Sequence, residues 1–410
     1  DPTLLRTQAY INGEWVDSDS GETFPVLNPA TQEVLVEVAS VAGAETRRAI
    51  EAAEVAQKAW AAKSAMERSA VLKKWNDLIL ENVEDLAVIM TLEQGKVLAE
   101  SRGEIVYAAS FIEWFAEEGK RVYGDVFPLP QGTSRGIAIK QPVGVVAAVT
   151  PWNFPSAMLT RKCGPALAVG CARVAKPAHE TPLSMLALAE LADRAGLPAG
   201  LLSIVPGAHA APIGDELCSN PIVRKFTFTG STRIGKYLAA KCTETMKRTS
   251  MELGGNAPVI VFDDADLDKA AAGAAASKYR NSGQTCICAN RILVQEGVYD
   301  EFVEKLKGVV GTFKVGDGMD ETSTHGPVIT RKALEDIKSM VDDAVAHGAE
   351  VAAGGSFGEE GEQFIQPTIL CNVTEDMRVF REEIFGPVAP IFKFKTEEEA
   401  IAMANDTEFG

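Results

Sequence analysis

Four short apolar runs, Val143 to Val149, Ala172 to Ala175, Leu202 to Val205 and Phe226 to Thr229, alternate with stretches of helical spacing. Strands that alternate with helices pair in parallel and need cover on both faces, so this stretch predicts a doubly wound sheet whose strand ends host ligands. Residues 251 to about 395 repeat an α/β pattern and predict a second α/β domain. Near the start, Tyr10 to Val16 sets Asn12-Gly13 between apolar residues, a hairpin signal. From Ala44 to about Gly119 apolar residues recur at helical spacing, with interruptions near Lys63-Ser64 and Gln94-Gly95. Trp60, Trp75 and Trp114 in that stretch are expected to pack in the core. Between 123 and 141, Pro128, Pro130 and Gly132 precede an exposed-strand alternation from Arg135 to Lys140. A chain of 410 residues exceeds one ordinary core, and at about 150 residues per domain it predicts two or three.

Charge and composition exclude several function classes. The net charge is −17, from 57 acidic and 40 basic residues, and no Lys/Arg run tracks a phosphate backbone, so nucleic acid is not an expected partner. No apolar stretch reaches the roughly 18 to 20 residues of a membrane span. The first residues lack the basic-then-apolar order of a signal peptide, and a cytoplasmic protein is expected. Seven cysteines, an odd number scattered along the chain, do not make a disulfide framework. His179, His209, His325 and His347 are not paired at ligand spacing, which leaves a metal site or a histidine triad little to draw on. The acidic cluster Glu397-Glu398-Glu399 reads as a solvated helix start.

The residues that carry chemistry stand where these runs end. Arg280 to Asn290 surrounds Cys286 with small residues, after an alanine-rich helical run and before the apolar Ile292-Leu293-Val294. A thiol on a tight glycine-containing loop is presented with its backbone N–H free, as attack on a carbonyl requires. Met251-Glu252-Leu253-Gly254-Gly255-Asn256 puts an acid beside two glycines, and Thr150-Pro151-Trp152-Asn153-Phe154-Pro155 holds an amide and two aromatics between prolines. Thiol, carboxylate and amide would supply nucleophile, base and oxyanion donor. Gly230 to Lys236 follows a strand and opens a helix, so its N–H groups suit an anion. It also matches G-x-x-x-x-G-K, but Tyr237 stands where that loop needs Ser or Thr for Mg²⁺, which argues against an NTPase. A helix start capped by Ser231 is the plainer reading.

Taken together, Pro151 to Pro155, Phe228 to Thr232, Met251 to Gly255, Gly283 to Cys286 and Glu382 to Pro387 resemble the ordered signatures of the aldehyde dehydrogenase superfamily. Within it, Thr160-Arg161-Lys162, Tyr279-Arg280-Asn281 and the Cys286-Ile287-Cys288 spacing are most like the succinate-semialdehyde dehydrogenases. The resemblance implies a cofactor-binding domain of residues 1–118 and 142–250, a small β oligomerisation arm at 119–141, and a catalytic domain at 251–410. Phe409-Gly410 fall inside a motif that continues in the family, so that last domain is expected to be incomplete. It implies Cys286 as nucleophile, Asn153 as oxyanion donor and Glu252 as base. Cofactor contacts fall to Thr150, Pro151, Trp152, Lys176, Ala178, His179, Gly230, Ser231, Gly235, Leu253, Glu383 and Phe385. Arg161, read as beginning the helix after the Asn153 loop, Arg280 and Phe154 would meet a small-molecule aldehyde that carries a remote carboxylate. His179 stands where many NAD-preferring relatives carry Glu, which removes repulsion against a 2′-phosphate. Either NADP or NAD is expected, with NADP favoured. Cys288 would form a reversible disulfide with Cys286, or simply pack. A homo-dimer or homo-tetramer is expected. Other acidic aldehydes such as glutarate semialdehyde, or a silent cofactor-binding protein of the same fold, are the alternatives.

Overall fold

In the computed structural model, residues 1–359 and 361–409 are described; Gly410, with which the expected catalytic domain ends, lies outside them. The chain opens with β1 (Ala9–Ile11), β2 (Glu14–Val16), β3 (Thr23–Leu27) and β4 (Val34–Ala39). Asn12 and Gly13 take φ of 53° and 80°, the paired positive values that a two-residue hairpin turn needs. Four helices follow, α1 (Gly43–Ala62), α2 (Ala65–Glu81), α3 (Val83–Gln94) and α4 (Leu98–Glu118). Ser64 caps α2 in a capping box with Glu67, which is why the pattern breaks there. A further break at Asn82, between α2 and α3, has no glycine or proline to announce it.

β5 (Asp125–Pro128) and β6 (Arg135–Ala138) pair antiparallel in a sheet of their own. The alternation then runs β7 (Val145–Val149), α5 (Pro155–Ala168), β8 (Ala172–Lys176), α6 (Leu183–Arg194), β9 (Leu202–Ile204), α7 (Ala210–Ser219), β10 (Val223–Thr229), α8 (Thr232–Thr243) and β11 (Arg248–Glu252). It continues with β12 (Ala257–Val261), α9 (Leu267–Tyr279), β13 (Ala289–Gln295), α10 (Tyr299–Val310), α11 (Arg331–Ala346), β14 (Glu350–Ala353), β15 (Thr368–Cys371), α12 (Arg378–Arg381), β16 (Val388–Phe394) and α13 (Glu397–Asn405). Thr396 caps α13 and its first turn holds Glu397, Glu398 and Glu399, as the acidic cluster predicts.

Two compact units result. The first comprises Asp1–Val26, Val34–Met90 and Arg102–Glu252, and the second Leu27–Glu33, Thr91–Ser101 and Leu253–Gly410. In the first, the sheet order is β11-β10-β7-β8-β9-β1-β2, and β7 to β11 are mutually parallel where they pair. Order reverses between β7 and β10, the switch point at which such sheets bind ligands beyond their carboxyl ends. Trp60 and Trp75 are buried, and their indole N–H groups donate to the carbonyls of Leu167 (2.8 Å) and Leu188 (3.0 Å). Trp114 departs from the core expectation: it is 64% exposed, on the outer face of α4. Helical spacing there put one aromatic on the wrong side of the stripe.

The second unit holds the sheet β12-β13-β16-β15-β14, parallel except for β14. Along β13 side chains alternate between two cores. Ile292 and Val294 pack with Ala271, Ala275 and Phe302 of α9 and α10, while Leu293 packs with Leu334, Ile337 and Phe380 of α11 and α12. Helices therefore cover both faces.

The start of α5 fixes the end of β7. Pro155 occupies the first helical position, where a missing N–H costs nothing. The buried Glu104 carboxylate of α4 accepts from the next two N–H groups, Ser156 (3.0 Å) and Ala157 (3.2 Å). Replacing it leaves two orphan donors in the interior. Glu104→Ala is expected to lower stability by about 2–3 kcal/mol, read as an earlier urea midpoint, and Glu104→Gln, which keeps an acceptor oxygen, by clearly less.

Candidate active site

At the carboxyl end of β7, Thr150 is tied to β8: its N–H donates to the Lys176 carbonyl at 3.2 Å. Pro151, Trp152, Asn153 and Phe154 follow. Asn153 is buried at 2% exposure, and Phe154 packs against Ala108, Ala157 and Met158. Arg161 does not begin α5 as the sequence suggested. With Pro155 setting the start, it lies nearly two turns in, and its Nη2 donates to the Tyr107 hydroxyl at 2.9 Å. Its guanidinium also lies over the Phe111 and Tyr107 rings, at 4.9 and 5.5 Å. Tyr107 and Phe111 escaped notice in the sequence, although their spacing of four puts both on one face of α4.

Two neighbouring strand ends carry the other cofactor candidates of this unit. Lys176 closes β8, is buried, and donates from Nζ to the Pro177 carbonyl at 2.9 Å. Burial lowers it to about 8, against the pull of Glu180. Beyond Ala178, the exposed His179 places Nδ1 3.3 Å from the Glu180 carboxylate. β10 pairs with β7 in register Phe228↔Val149, so the turn at Gly230-Ser231 emerges beside the one at Thr150. The Ser231 side chain makes no capping hydrogen bond, so the plain capped-helix reading fails; the Thr232 hydroxyl is buried without a partner among the described residues. Gly235 lies in the first turn of α8 and donates its N–H to the Ser231 carbonyl at 2.9 Å. Glu252 ends β11 opposite Thr229, and its carbonyl accepts from Gly230 at 3.0 Å.

Glu252 also lines a cavity of about 600 Å³ with Arg161, Lys162, Arg173, Lys225 and Thr227. Lys162 donates to the Thr227 hydroxyl at 3.0 Å. Burial, then the charges of Arg173 and Arg161, press its ammonium down to about 7, with Glu252 pulling the other way. Sequence reasoning passed over Lys162 except as part of a motif, because nothing in a single chain marks a buried lysine.

In the second unit the thiol loop is built on strained backbone. Asn281, Ser282 and Gly283 take φ of 51°, 54° and 74° in succession. Left-handed conformation costs a non-glycine residue about 1–2 kcal/mol, and here specific bonds hold it. The Asn281 N–H donates to Glu100 at 2.9 Å and the Ser282 hydroxyl to the Gly326 carbonyl at 2.8 Å. Gln284 donates to the Asn281 and Pro327 carbonyls and accepts from the Ile329 N–H at 2.9 Å. A Cβ on Gly283 would stand 2.1 Å from the Gly386 oxygen, so only glycine fits. Cys286 follows, partly exposed, and Arg280 is exposed just before the strained turn. A Cβ on Gly255 would come within 2.7 Å of the Cys286 carbonyl oxygen, which explains a glycine beside Leu253-Gly254.

Cys288 is buried, and its N–H donates to the Thr285 carbonyl at 3.0 Å. Burial pushes its thiol up, with Lys278 acting in the opposite direction. Neither Cys286 nor Cys288 is in a disulfide. Glu383 lies in the same unit: one oxygen receives the Gly255 N–H, Oε1 has no partner among the described residues, and burial raises the group to about 7. Phe385 beside it takes φ of 53°. Asn290, which the sequence did not single out, anchors this segment by donating to the Glu382 carbonyl (2.9 Å) and accepting from the Ile384 N–H (3.1 Å).

The structure thus gathers Thr150, Asn153, Lys176, Gly230, Ser231 and Glu252 at adjacent strand ends of the first unit. It gathers Leu253, Cys286, Cys288, Glu383 and Phe385 in the second. No group of three or more His, Cys, Asp or Glu among the described residues is arranged to hold a metal, and no described helix is long and apolar enough to cross a membrane.

Comparison with known proteins agrees with this geometry. Residues 15–410 match the model of the aldehyde dehydrogenase family. The chain is 59% identical to a glutarate-semialdehyde dehydrogenase of Pseudomonas putida and 57% identical to the NADP(+) succinate-semialdehyde dehydrogenase of Escherichia coli, in each case over all of this chain and 85% of the relative. The crystal structure of succinate-semialdehyde dehydrogenase from Burkholderia pseudomallei superposes with a TM-score of 0.99 at 56% identity, covering 100% of this chain and 85% of that one. A thiol on a strained loop, two parallel-stranded units and similarity along the whole length have one common explanation: this chain belongs to the aldehyde dehydrogenase family.

Proposed function

We propose that the protein oxidises succinate semialdehyde to succinate with NADP or NAD, through covalent intermediates on Cys286. The observation that carries the reading is the strained turn, held by hydrogen bonds, that precedes Cys286, in a chain of this family. The Cys286 thiolate attacks the aldehyde carbon to give a thiohemiacetal, and its oxyanion is stabilised by the Asn153 amide and the Cys286 backbone N–H. NAD(P), when bound, supplies the hydride acceptor that turns this intermediate into a thioester. Glu252 takes the thiol proton and later activates the water that hydrolyses the thioester.

The residues at hand fit a dinucleotide. Ser231, whose side chain is not spent on capping, and the start of α8 would receive the pyrophosphate, and Lys176 the adenosine ribose. Glu383, with one oxygen unpartnered in the interior, would take the nicotinamide ribose, beside Phe385. The cation of Lys176 favours a 2′-phosphate, hence NADP, while the Glu180 carboxylate beside His179 opposes it.

Arg161 and Arg280 would hold the remote carboxylate of the substrate. Because Arg161 already rests on two aromatic rings, little side-chain freedom remains to be lost on binding. Glutarate semialdehyde is the second reading, favoured by the Pseudomonas relative. One methylene changes discrimination by only about 1–3 kcal/mol, whereas a missing carboxylate leaves a cation unanswered. The arm β5–β6 exposes Val126, Ile137 and Ile139 at 73%, 74% and 71%, which supports its use between subunits of a homo-dimer or homo-tetramer. None of the seven cysteines is in a disulfide among the described residues, which suits the reducing cytoplasm.

Succinate semialdehyde with NADP and with NAD should both give reduced cofactor, faster with NADP, and Cys286→Ala should give none; a silent wild-type protein would end the reading. Asn153→Ala should stay folded and lose ~100-fold or more in kcat, and near-normal turnover would remove it from the mechanism. Arg161→Ala should raise KM about 10- to 100-fold for the carboxylated aldehyde while sparing a neutral one of equal length; equal effects on both would defeat the assignment. Ile137→Asp should shift the elution volume toward a smaller species, and an unchanged volume would take the arm out of assembly.

A further inference from the structure

Lys278, in the last turn of α9, is completely buried, and its ammonium has no hydrogen-bond partner among the described residues. A bare ammonium in the interior costs several kcal/mol unless nearby charge offsets it. The carbonyl end of its own helix offers part of that offset. The ionisable groups that act on it are the Cys288 thiol, from the nucleophile loop, and the Glu383 carboxylate, from the segment before β16. Glu383 is in a matching condition: one oxygen receives the Gly255 N–H and Oε1 is buried without a partner among the described residues. A lysine and a glutamate are thus buried in one unit, each with a hydrogen-bonding end that no described residue answers, and the turn that follows α9 meets the segment of Glu383 where Gly283 abuts the Gly386 carbonyl.

We propose that Lys278 is a positioning residue for cofactor binding, whose buried charge keeps the Glu383 carboxylate ionised so that its open oxygen accepts the hydroxyls of the nicotinamide ribose. The proposal rests on the reading of Glu383 given above and adds the group that makes Glu383 an acceptor at neutral pH. Burial lifts Glu383 to about 7 even with the Gly255 N–H and Lys278 opposing it. Burial lowers Lys278 to about 8, with Cys288 and Glu383 resisting. Glu383 is thus an acceptor above about 7 and loses that role as pH falls through it. Without the ammonium the carboxyl rises further, so at neutral pH it is protonated and the ribose loses an acceptor.

The test is equilibrium binding of NADP and NAD by protein fluorescence across neutral and alkaline pH, on wild type, Lys278→Met, Lys278→Arg, Glu383→Gln and Glu383→Ala. Wild-type affinity should fall as pH drops through about 7. In Lys278→Met the fall should begin about one pH unit higher, for up to ~10-fold weaker binding at neutral pH, with the difference closing at alkaline pH; Lys278→Arg should keep the wild-type profile. A Lys278→Met profile that superimposes on wild type, while Glu383→Gln binds weakly and without the inflection, overturns the role of Lys278 alone. Wild-type affinity in Glu383→Gln, whose amide keeps an acceptor oxygen, overturns the need for an ionised carboxylate, and wild-type affinity in Glu383→Ala overturns the reading of Glu383 itself. If Lys278→Met does not fold, Lys278→Gln removes the charge while retaining polarity and is judged by the same profile.

Discussion

The thiol loop depends on three consecutive residues held in a conformation that L-amino acids avoid. Asn281 and Ser282 each bear the cost of a left-handed backbone, and Gly283 is confined to glycine by the Gly386 carbonyl. The loop is stable because nearly every polar group in it has been spent: Glu100, Gly326, Pro327 and Ile329 take up bonds that would otherwise be satisfied by water. Gln284 is central, since its amide donates twice and accepts once. Strain on this scale persists only where the surroundings over-determine the backbone, and here they aim Cys286.

A second theme is burial acting on charge. Lys162, Lys176 and Lys278 are lowered and Glu383 is raised, and in each case burial is the largest cause, ahead of any ion pair. Lys176 closes a strand, Lys162 lies within α5, Lys278 in the last turn of α9 and Glu383 shortly before β16, so helices as well as strand ends provide the enclosure. Surface pairs such as Arg48 with Asp19 and Arg102 with Glu84 are another matter, because solvent screens them and they add little. The interior charges are therefore the ones whose protonation burial governs.

Much of this was legible in the chain. The alternation after Val143 gave β7 to β10 to within three residues at each end, because buried parallel strands are short, largely apolar runs. Asn12-Gly13 marked its hairpin because only such a pair accepts two positive φ values. Cys286 stood out by its company of small residues. What stayed hidden needs three dimensions. Glu104 sits mid-helix and looks like any solvated acid until the N–H groups of Ser156 and Ala157 arrive. Lys278 looks like an ordinary basic residue near a helix end, and nothing in the spacing of α9 says that it is buried. Trp114 shows the converse error, since helical periodicity gives the existence of a stripe more securely than its width.

The two helix starts beside the switch point of the first sheet show how one architecture can hold an anion at one turn and not at its neighbour. Both α5 and α8 begin just past the carboxyl end of a strand, and each offers a positive dipole end with unsatisfied N–H groups. At α5 the chain has answered that charge internally, with the Glu104 carboxylate seated on Ser156 and Ala157. A phosphate there would displace or repel a buried acid. At α8 the residue in the capping position is a serine, yet its hydroxyl does not cap, and the next hydroxyl, Thr232, is buried without a partner among the described residues. The two strand ends, side by side in the sheet, are thus finished in opposite ways: one by two buried bonds to a carboxylate, the other without its expected serine cap.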